Sequence, residues 1–164
     1  MSAVGLGGSM GKSRATGATG AADRPVLVVE DEVAVRRALA RWLAEWGFRT
    51  TEAGNGREAI QSLAEETPAA IVIDLLMPIM SGVELLKALR RNAFYRRIPT
   101  IVMTGGVDVT MPDLEATLGV PVVLKPNIER IPEIIQGMVA EAAAASQARR
   151  TLSAPLAPDA RQVR

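Results

Sequence analysis

The chain has 164 residues, of which 48% are hydrophobic, and this favours one ordinary folded domain with extensions at its ends. It contains no cysteine and no histidine, which excludes disulfide bonds, thiolate or imidazole metal sites and a phosphohistidine on this chain. The net charge of +1 combines basic ends with a mildly acidic middle, a distribution that argues against a nucleic-acid-binding domain.

The two ends of the chain have the composition of disordered tails. Residues 1–24 are mostly Gly, Ala, Ser and Thr, and residues 150–164 are rich in small residues, Pro and Arg. We expect both segments to be flexible and the folded domain to occupy residues 25–149.

One motif in the first tail is similar to a phosphate-binding loop. It reads GGSMGKS over residues 7–13, but the glycine that should open such a loop is replaced by Leu6. No strand pattern precedes the motif and no helical pattern follows it. We therefore interpret it as a chance match.

Between the tails, strand and helix patterns alternate. The first strand, PVLVVE (25–30), is a continuous apolar run, which is typical of a strand buried on both faces. Apolar residues then recur at helical spacing from Val33 to Trp46, and Gly47 ends that helix. Further strands are predicted at residues 48–53, 69–74, 100–104 and 121–124, and further helices at 57–66, 83–91, 109–118 and about 132–149. Five successive β-α units imply an α/β fold in which a parallel sheet carries helices on both faces.

Most of the predicted strands end in residues that can carry chemistry. Glu30 and Asp31 close the first strand, Asp74 the third, Thr104 the fourth and Lys125 the fifth. Carboxyl ends of parallel strands meet at one edge, so we expect these side chains on one rim, where α/β sheets bind ligands. Three carboxylates there repel each other unless a positive charge lies between them. Without Cys or His, a metal at this rim would need oxygen ligands, which favours Mg²⁺, Ca²⁺ or Mn²⁺.

Each of these residues also has a purely structural interpretation. The acidic pair could cap the first helix, and Asp74 could hydrogen-bond the turn that follows its strand. Thr104 could be an ordinary turn residue and Lys125 a solvated surface residue. Four such coincidences at four strand ends of one sheet are much less credible together than a single shared site.

Four segments of the chain resemble the receiver domain of two-component response regulators. They read VLVVEDE, IVIDLLMPIMSGVELL, IPTIVMTGG and VVLKP, and they occur in this order within residues 25 to about 145. The run from Asp74 to Gly82, with its D-x-x-M-P-x-M-x-G pattern, is the most specific. The resemblance implies a flavodoxin-like, doubly wound, five-stranded parallel sheet of order 2-1-3-4-5.

The resemblance also implies a role for each carboxylate. Asp74 matches the phosphoacceptor, whose carboxylate attacks a phosphoryl group and becomes an aspartyl phosphate. Glu30 and Asp31 match the acidic pair that holds Mg²⁺ together with Asp74 and the backbone carbonyl of Leu76. The metal would neutralise oxygens while the phosphoryl group passes between two anions.

The remaining rim residues match the rest of the family's phosphorylation site. Lys125 would pair with phosphoryl oxygens, and Thr104 would hydrogen-bond one of them and report phosphorylation to the fold. Two departures concern the output switch: Val122 stands where an aromatic is usual, and Asn127 stands where an aromatic often follows the Lys-Pro pair. The acidic pair is Glu-Asp in this chain. Asp-Asp is commoner in the family, but the family tolerates Glu-Asp.

The resemblance favours a stand-alone, chemotaxis-regulator-like receiver and not an enzyme with a separate substrate. Its expected partners are a sensor histidine kinase or histidine phosphotransfer protein and an unknown downstream protein. Neither nucleic acid nor a membrane is expected as a partner, and no spanning segment or signal peptide is recognised, so we expect a cytoplasmic protein. We expect the kinase to dock beside the rim on Val33, Val35 and Pro126.

Two alternatives were weighed against this interpretation. The first is an interaction module with the receiver fold, in which phosphorylation is weak or dispensable. The second is a phosphatase of the haloacid-dehalogenase type, which also uses an Asp nucleophile at a strand end. Such enzymes need a second Asp two residues later as general acid, and Leu76 occupies that place.

Overall fold

The computed structural model describes residues 24–106 and 111–152. The predicted tails, the glycine-rich motif at residues 7–13 and the start of the predicted helix 109–118 therefore lie largely outside the described residues.

Within the described residues, five strands and five α-helices alternate. The strands are β1 (Val26–Val29), β2 (Thr50–Ala53), β3 (Ala70–Asp74), β4 (Thr100–Thr104) and β5 (Val122–Leu124). The helices are α1 (Val33–Glu45), α2 (Gly56–Glu65), α3 (Gly82–Arg91), α4 (Met111–Leu118) and α5 (Ile131–Leu152). Short 3₁₀ turns span Tyr95–Arg97 and Lys125–Arg130. The last helix runs past residue 149, which was predicted as the limit of the domain.

The strands form one parallel sheet in the order β2-β1-β3-β4-β5, which confirms the predicted fold and strand order. β1 and β3 are buried along their whole length because both faces of the sheet are covered by helices. This explains why their sequences are continuous apolar runs instead of alternating ones.

The core is divided between the two faces of the sheet. On one face, Val26 and Val28 pack with Leu39 and Leu43 of α1 and Ile135 of α5. The opposite face is filled by alternate strand residues and by helices α2, α3 and α4; its buried members include Leu27, Val29, Ile71, Ile73, Leu63, Leu85, Leu86 and Leu118. Both layers hold the strands rigidly, so the rim at their carboxyl ends is a fixed platform.

Local signals place the ends of two helices beside that rim. Asn55 caps α2, because its side chain accepts hydrogen bonds from the backbone N–H groups of Arg57 and Glu58. Ser81 and Glu84 form a reciprocal capping box at the start of α3. The loop before α3 is thereby fixed directly after Asp74.

Candidate functional site

The candidate site lies at the carboxyl ends of four strands. Glu30 follows β1, Asp74 ends β3, Thr104 ends β4, and Lys125 follows β5. In the parallel register Asp74 lies opposite Met103, so β3 and β4 end at nearly the same level. The topology therefore gathers these residues at one rim, as the sequence predicts.

Lys125 links two carboxylates from different strands. Its Nζ donates hydrogen bonds to Asp74 Oδ2 at 3.0 Å and to Glu30 Oε1 at 3.2 Å. Burial acts to lower the pKa of Lys125, but the hydrogen bonds to Asp74 and Glu30 outweigh it and raise this pKa above its usual value. The ammonium group is therefore held in its charged form between the two carboxylates.

The carboxylates that Lys125 joins are almost completely buried. The side chain of Glu30 is 0% exposed and that of Asp74 is 2% exposed. Burial, and then the neighbouring Asp74 carboxylate, raise the pKa of Glu30, although the Glu32 N–H and Lys125 act to lower it. One lysine is thus too little positive charge to offset the burial of Glu30 beside a second carboxylate.

Two buried oxygens at the rim make no hydrogen bond within the described residues. They are Asp74 Oδ1 and Glu30 Oε2, the second of which lies 3.1 Å from Lys125 Nζ without hydrogen-bond geometry. A buried anionic oxygen without a hydrogen bond is costly, so these atoms are suited to a cation or to a reacting group.

Asp31 completes a cluster that could hold a metal ion. Carboxylate oxygens of Glu30, Asp31 and Asp74 lie within 4.8 Å of one another. Asp31 is exposed, so one side of the cluster is open to solvent. The donors are all oxygens, which suits a hard divalent cation that keeps some of its water. Leu76 lies two residues after Asp74 with its side chain 65% exposed, so any contribution to the cation would come from its backbone.

Thr104 is close to the site without being hydrogen-bonded to it. The residue is fully buried, and its Oγ1 accepts a hydrogen bond from the Gly106 N–H at 3.4 Å. Within the described residues, no hydrogen bond joins its hydroxyl to Asp74 or Lys125. In that bond the hydroxyl oxygen only accepts, so its O–H is still available to donate to a further group at the rim.

Gly82 has a packing role beside Asp74 that the sequence pattern alone does not explain. A Cβ at this position would lie 2.1 Å from the main-chain oxygen of Asp74. The Gly82 N–H also donates to the carbonyl of Leu75 at 3.0 Å, which closes the β3–α3 loop against the strand. Only glycine permits this close approach.

Arg36 is a residue near the site that the sequence analysis missed. It lies in the first turn of α1, and its guanidinium contacts the backbone carbonyls of Glu30 and Asp31 and the side chain of Glu52. An arginine six positions after a strand end gives no sequence signal of this kind, because backbone carbonyls are acceptors at every position.

The rim is bordered by apolar side chains that face solvent. Val33 is 47% exposed, Leu76 65% and Ile79 74%, and Ile79 has a positive φ of 70° that turns the loop outward. Val35, predicted as a docking contact with Val33, is half-buried, and the side chain of Pro126 lies outside the described residues.

The family model described as response regulator receiver domain matches residues 26–136. The chain belongs to this family. The match spans all five strands and the first part of α5, and it confirms the resemblance drawn from the sequence motifs.

A curated relative and two solved structures illustrate the likeness. The transcriptional regulatory protein PrrA of Mycobacterium tuberculosis is 34% identical over 135 residues, which cover 79% of this chain and 57% of PrrA. This chain thus spans little more than half the length of that relative.

Two solved receivers superimpose on the domain. The receiver domain of the Francisella response regulator 1452 has a TM-score of 0.64 and 27% identity, covering 73% of this chain and 98% of that one. The response regulator TrrA of Thermotoga maritima, solved in complex with Mg²⁺-BeF, has a TM-score of 0.61 and 26% identity, covering 70% of this chain and 98% of that one.

Among the described helices, none is long and apolar enough to cross a membrane.

Proposed function

We propose that this receiver accepts a phosphoryl group on Asp74 from the phosphohistidine of a sensor kinase or of a phosphotransfer protein. The observation that carries the proposal is the buried Oδ1 of Asp74, which has no hydrogen-bond partner among the described residues. The other oxygen of the same carboxylate is held by Lys125, so the side chain is oriented with one oxygen left to react.

In this transfer an Asp74 oxygen attacks phosphorus and the phosphorus–nitrogen bond of the phosphohistidine breaks. The imidazole nitrogen keeps the electron pair of that bond, and Asp74 becomes an acyl phosphate. Lys125 is placed to exchange its contact with Asp74 for a phosphoryl oxygen. Thr104 would donate its O–H, which its contact with Gly106 does not use, to another phosphoryl oxygen.

We further propose Mg²⁺ as the cation of this site, held by Glu30, Asp31, Asp74 and the backbone carbonyl of Leu76. When bound, it supplies positive charge between the entering phosphoryl group and the carboxylates. The oxygen-only cluster supports this assignment, and so does the buried Glu30 Oε2, which has a charge contact with Lys125 but accepts no hydrogen bond within the described residues. The solved Mg²⁺-BeF complex of the related TrrA supports it as well.

The protein would signal by binding another protein, and its only catalysis would be its own phosphorylation and dephosphorylation. We propose that the kinase docks on the rim around Val33, whose exposed apolar side chain lies at the start of α1. A cytoplasmic location and action without a separate output domain stay predictions.

One observation favours a second candidate, an interaction module in which phosphorylation is dispensable. Val122 replaces the usual aromatic of the output switch, and it is buried with its N–H bonded to Glu115 of α4. If this candidate were correct, Asp74→Asn would bind the downstream protein as tightly as the phosphorylated wild type.

The direct test of the leading proposal is intact-protein mass spectrometry after incubation with a small phosphodonor such as acetyl phosphate. We expect one phosphoryl group on the wild type in the presence of Mg²⁺, and none when Mg²⁺ is chelated or when Asp74 is changed to Asn. Equal labelling of Asp74→Asn would contradict the proposal.

A further inference from the structure

A single arginine ties together three segments beside the acidic pair. Arg36 Nη1 donates to the main-chain oxygen of Glu30 and, at 3.3 Å, to that of Asp31. Arg36 Nε donates to Glu52 Oε2 of β2 at 3.2 Å. The side chain of Arg36 is only 15% exposed, and its bond to the Glu30 carbonyl is partly shielded from water, whereas its bonds to Asp31 and Glu52 are exposed.

These contacts fix the turn that connects β1 to α1. The acidic pair lies in that turn, which is also held by the Glu30 N–H, donating to the carbonyl of Ala53 at 3.0 Å, and by the Glu32 N–H, donating to Glu30 Oε1 at 3.2 Å. Arg36 adds bonds to the carbonyls of the acidic pair, and its bond to Glu52 of β2 restrains the guanidinium. A planar guanidinium that donates in several directions holds such a geometry, whereas a lysine ammonium acts as a point charge.

Arg36 contacts the backbone of the acidic pair and leaves its carboxylates alone. Within the described residues, no hydrogen bond or ion pair joins the guanidinium to the carboxylate of Glu30 or Asp31. The arginine therefore does not compete with a cation for those oxygens. It restrains the backbone of Glu30 and Asp31, which carries those carboxylates.

We propose that Arg36 is a positioning residue for the metal site: it holds the turn so that the carboxylates of Glu30 and Asp31 converge with that of Asp74. This inference rests on the proposed Mg²⁺ site and deepens it. Groups that orient metal ligands contribute roughly tenfold or more to metal affinity.

The charge of Arg36 and its positioning role predict effects of opposite sign. A positive charge near a cation site repels the cation, so charge alone predicts that Arg36→Ala binds Mg²⁺ more tightly. Positioning predicts weaker binding, because the turn must then be ordered when the metal arrives. Arg36→Lys keeps the positive charge but loses the planar guanidinium with its several donors. A positioning role therefore predicts weaker Mg²⁺ binding in this variant as well.

The test is the Mg²⁺ dissociation constant, measured on the full chain from the rise in melting temperature with Mg²⁺ concentration. We expect it to increase roughly tenfold in Arg36→Ala and to increase clearly in Arg36→Lys. Arg37→Ala is the matched control, because it removes an exposed arginine from the same helix turn. We expect its dissociation constant to equal or fall slightly below the wild-type value.

Tighter or unchanged Mg²⁺ binding by Arg36→Ala, or wild-type binding by Arg36→Lys, would overturn the positioning role. If Arg36→Ala does not fold, Arg36→Lys decides alone. The wild type separates this result from the proposed function: a wild type that binds no Mg²⁺ refutes the metal site itself. A wild type that binds Mg²⁺ together with variants that bind it equally well refutes only the role of Arg36.

Discussion

At the scale of single residues, the site is organised around Lys125, which lies between two buried carboxylates. Within the described residues, Lys125 is the only positively charged side chain that hydrogen-bonds Asp74, and it also contacts Glu30. Removing one partner of such a buried arrangement leaves the other charges uncompensated, which costs more than the pair itself contributes.

We therefore predict that Lys125→Ala folds but melts at a lower temperature in the absence of Mg²⁺. Mg²⁺ should raise its melting temperature by more than it does in the wild type, because the cation then replaces the missing ammonium. Labelling of Asp74 by acetyl phosphate should slow by roughly tenfold or more, since a fixed positive charge at the phosphoryl oxygens is lost. Wild-type labelling kinetics in this variant would show that Lys125 is only a structural partner.

Most of the candidate site could be predicted from residue types at strand ends. Asp74 and Lys125 were found because a parallel sheet brings the carboxyl ends of its strands together. Arg36 was not found, because its acceptors are backbone carbonyls, which leave no mark in the sequence. The contact of Gly82 with the backbone of Asp74 was missed for the same reason.

At the scale of secondary-structure elements, α3 is fixed beside the site by its capping box. Ser81 accepts a hydrogen bond from the Glu84 N–H, and the Glu84 carboxylate accepts from the Ser81 N–H and hydroxyl. These bonds hold the pKa of Glu84 below its usual value of 4.5. The stabilisation is therefore present above pH 4.5 and is lost as the pH falls through the lowered pKa.

We predict that Glu84→Gln melts below the wild type at pH 7 and that the difference disappears at acid pH. The hydrogen bonds between Glu84 and Ser81 are local to the start of α3, so the Mg²⁺ affinity of Glu84→Gln should equal that of the wild type. Ser81→Ala removes both the cap and the main cause of the lowered Glu84 pKa, so it should lower the free energy of unfolding by about 1 kcal/mol at pH 7 and by less at acid pH. Melting curves at a series of pH values check this. A Glu84→Gln deficit that does not change with pH would contradict the assigned role of the carboxylate.

The connection between α4 and β5 is a second element-scale feature. The Val122 N–H donates to Glu115 Oε1 at 2.9 Å, and the Val122 side chain packs with Leu118 in the same cluster. Valine has one side-chain torsion and no ring, so it cannot make the swing of an aromatic switch residue. The signal would therefore pass through a movement of α4; the residues directly before it, 107–110, lie outside the described residues.

We predict that a phosphoryl mimic such as beryllium fluoride changes amide hydrogen exchange mainly in residues 105–118. In Glu115→Ala the amides of α4 should exchange faster even without the mimic, because the helix has lost its bond to β5. Changes confined to the neighbours of Asp74 would argue against this route and favour the weakly switching interaction module.

Element positions could also be predicted, although their ends shifted by one to three residues. Helix α3 begins at Gly82 and not at Val83, and α5 extends to Leu152. Helix ends depend on caps and local packing, which hydrophobic periodicity does not encode. Element types and their order follow from short continuous apolar runs for the buried strands and from a period of 3.6 residues for the helices, because burial enforces these patterns along each segment.

At the scale of the whole molecule, a core packed on both faces of the sheet supports a rim at which carboxylates of like charge repel one another. Helices pack on both faces of the sheet, yet three carboxylates, two directly after β1 and one at the end of β3, converge at its edge. A cation that binds only the folded chain relieves this repulsion and stabilises the whole domain.

We predict that Mg²⁺ at ten times its dissociation constant raises the free energy of unfolding by about 1.4 kcal/mol. This corresponds to roughly 3–6 °C in melting temperature for a domain of this size. Glu30→Gln should abolish most of the rise, and matched ionic strength in NaCl controls for screening. An unchanged melting temperature at millimolar Mg²⁺ would count against the metal site.

The central claim is that Asp74 is the one phosphoacceptor among three clustered carboxylates, and peptide mapping of the acyl phosphate tests it most directly. Borohydride reduces an aspartyl phosphate to homoserine, so the labelled residue can be located in the fragment spectrum. After treatment with acetyl phosphate and Mg²⁺, we expect homoserine at position 74 alone, and none in Asp74→Asn. A reduced residue at Glu30 or Asp31, or a wild type without any reduced residue, would contradict the account.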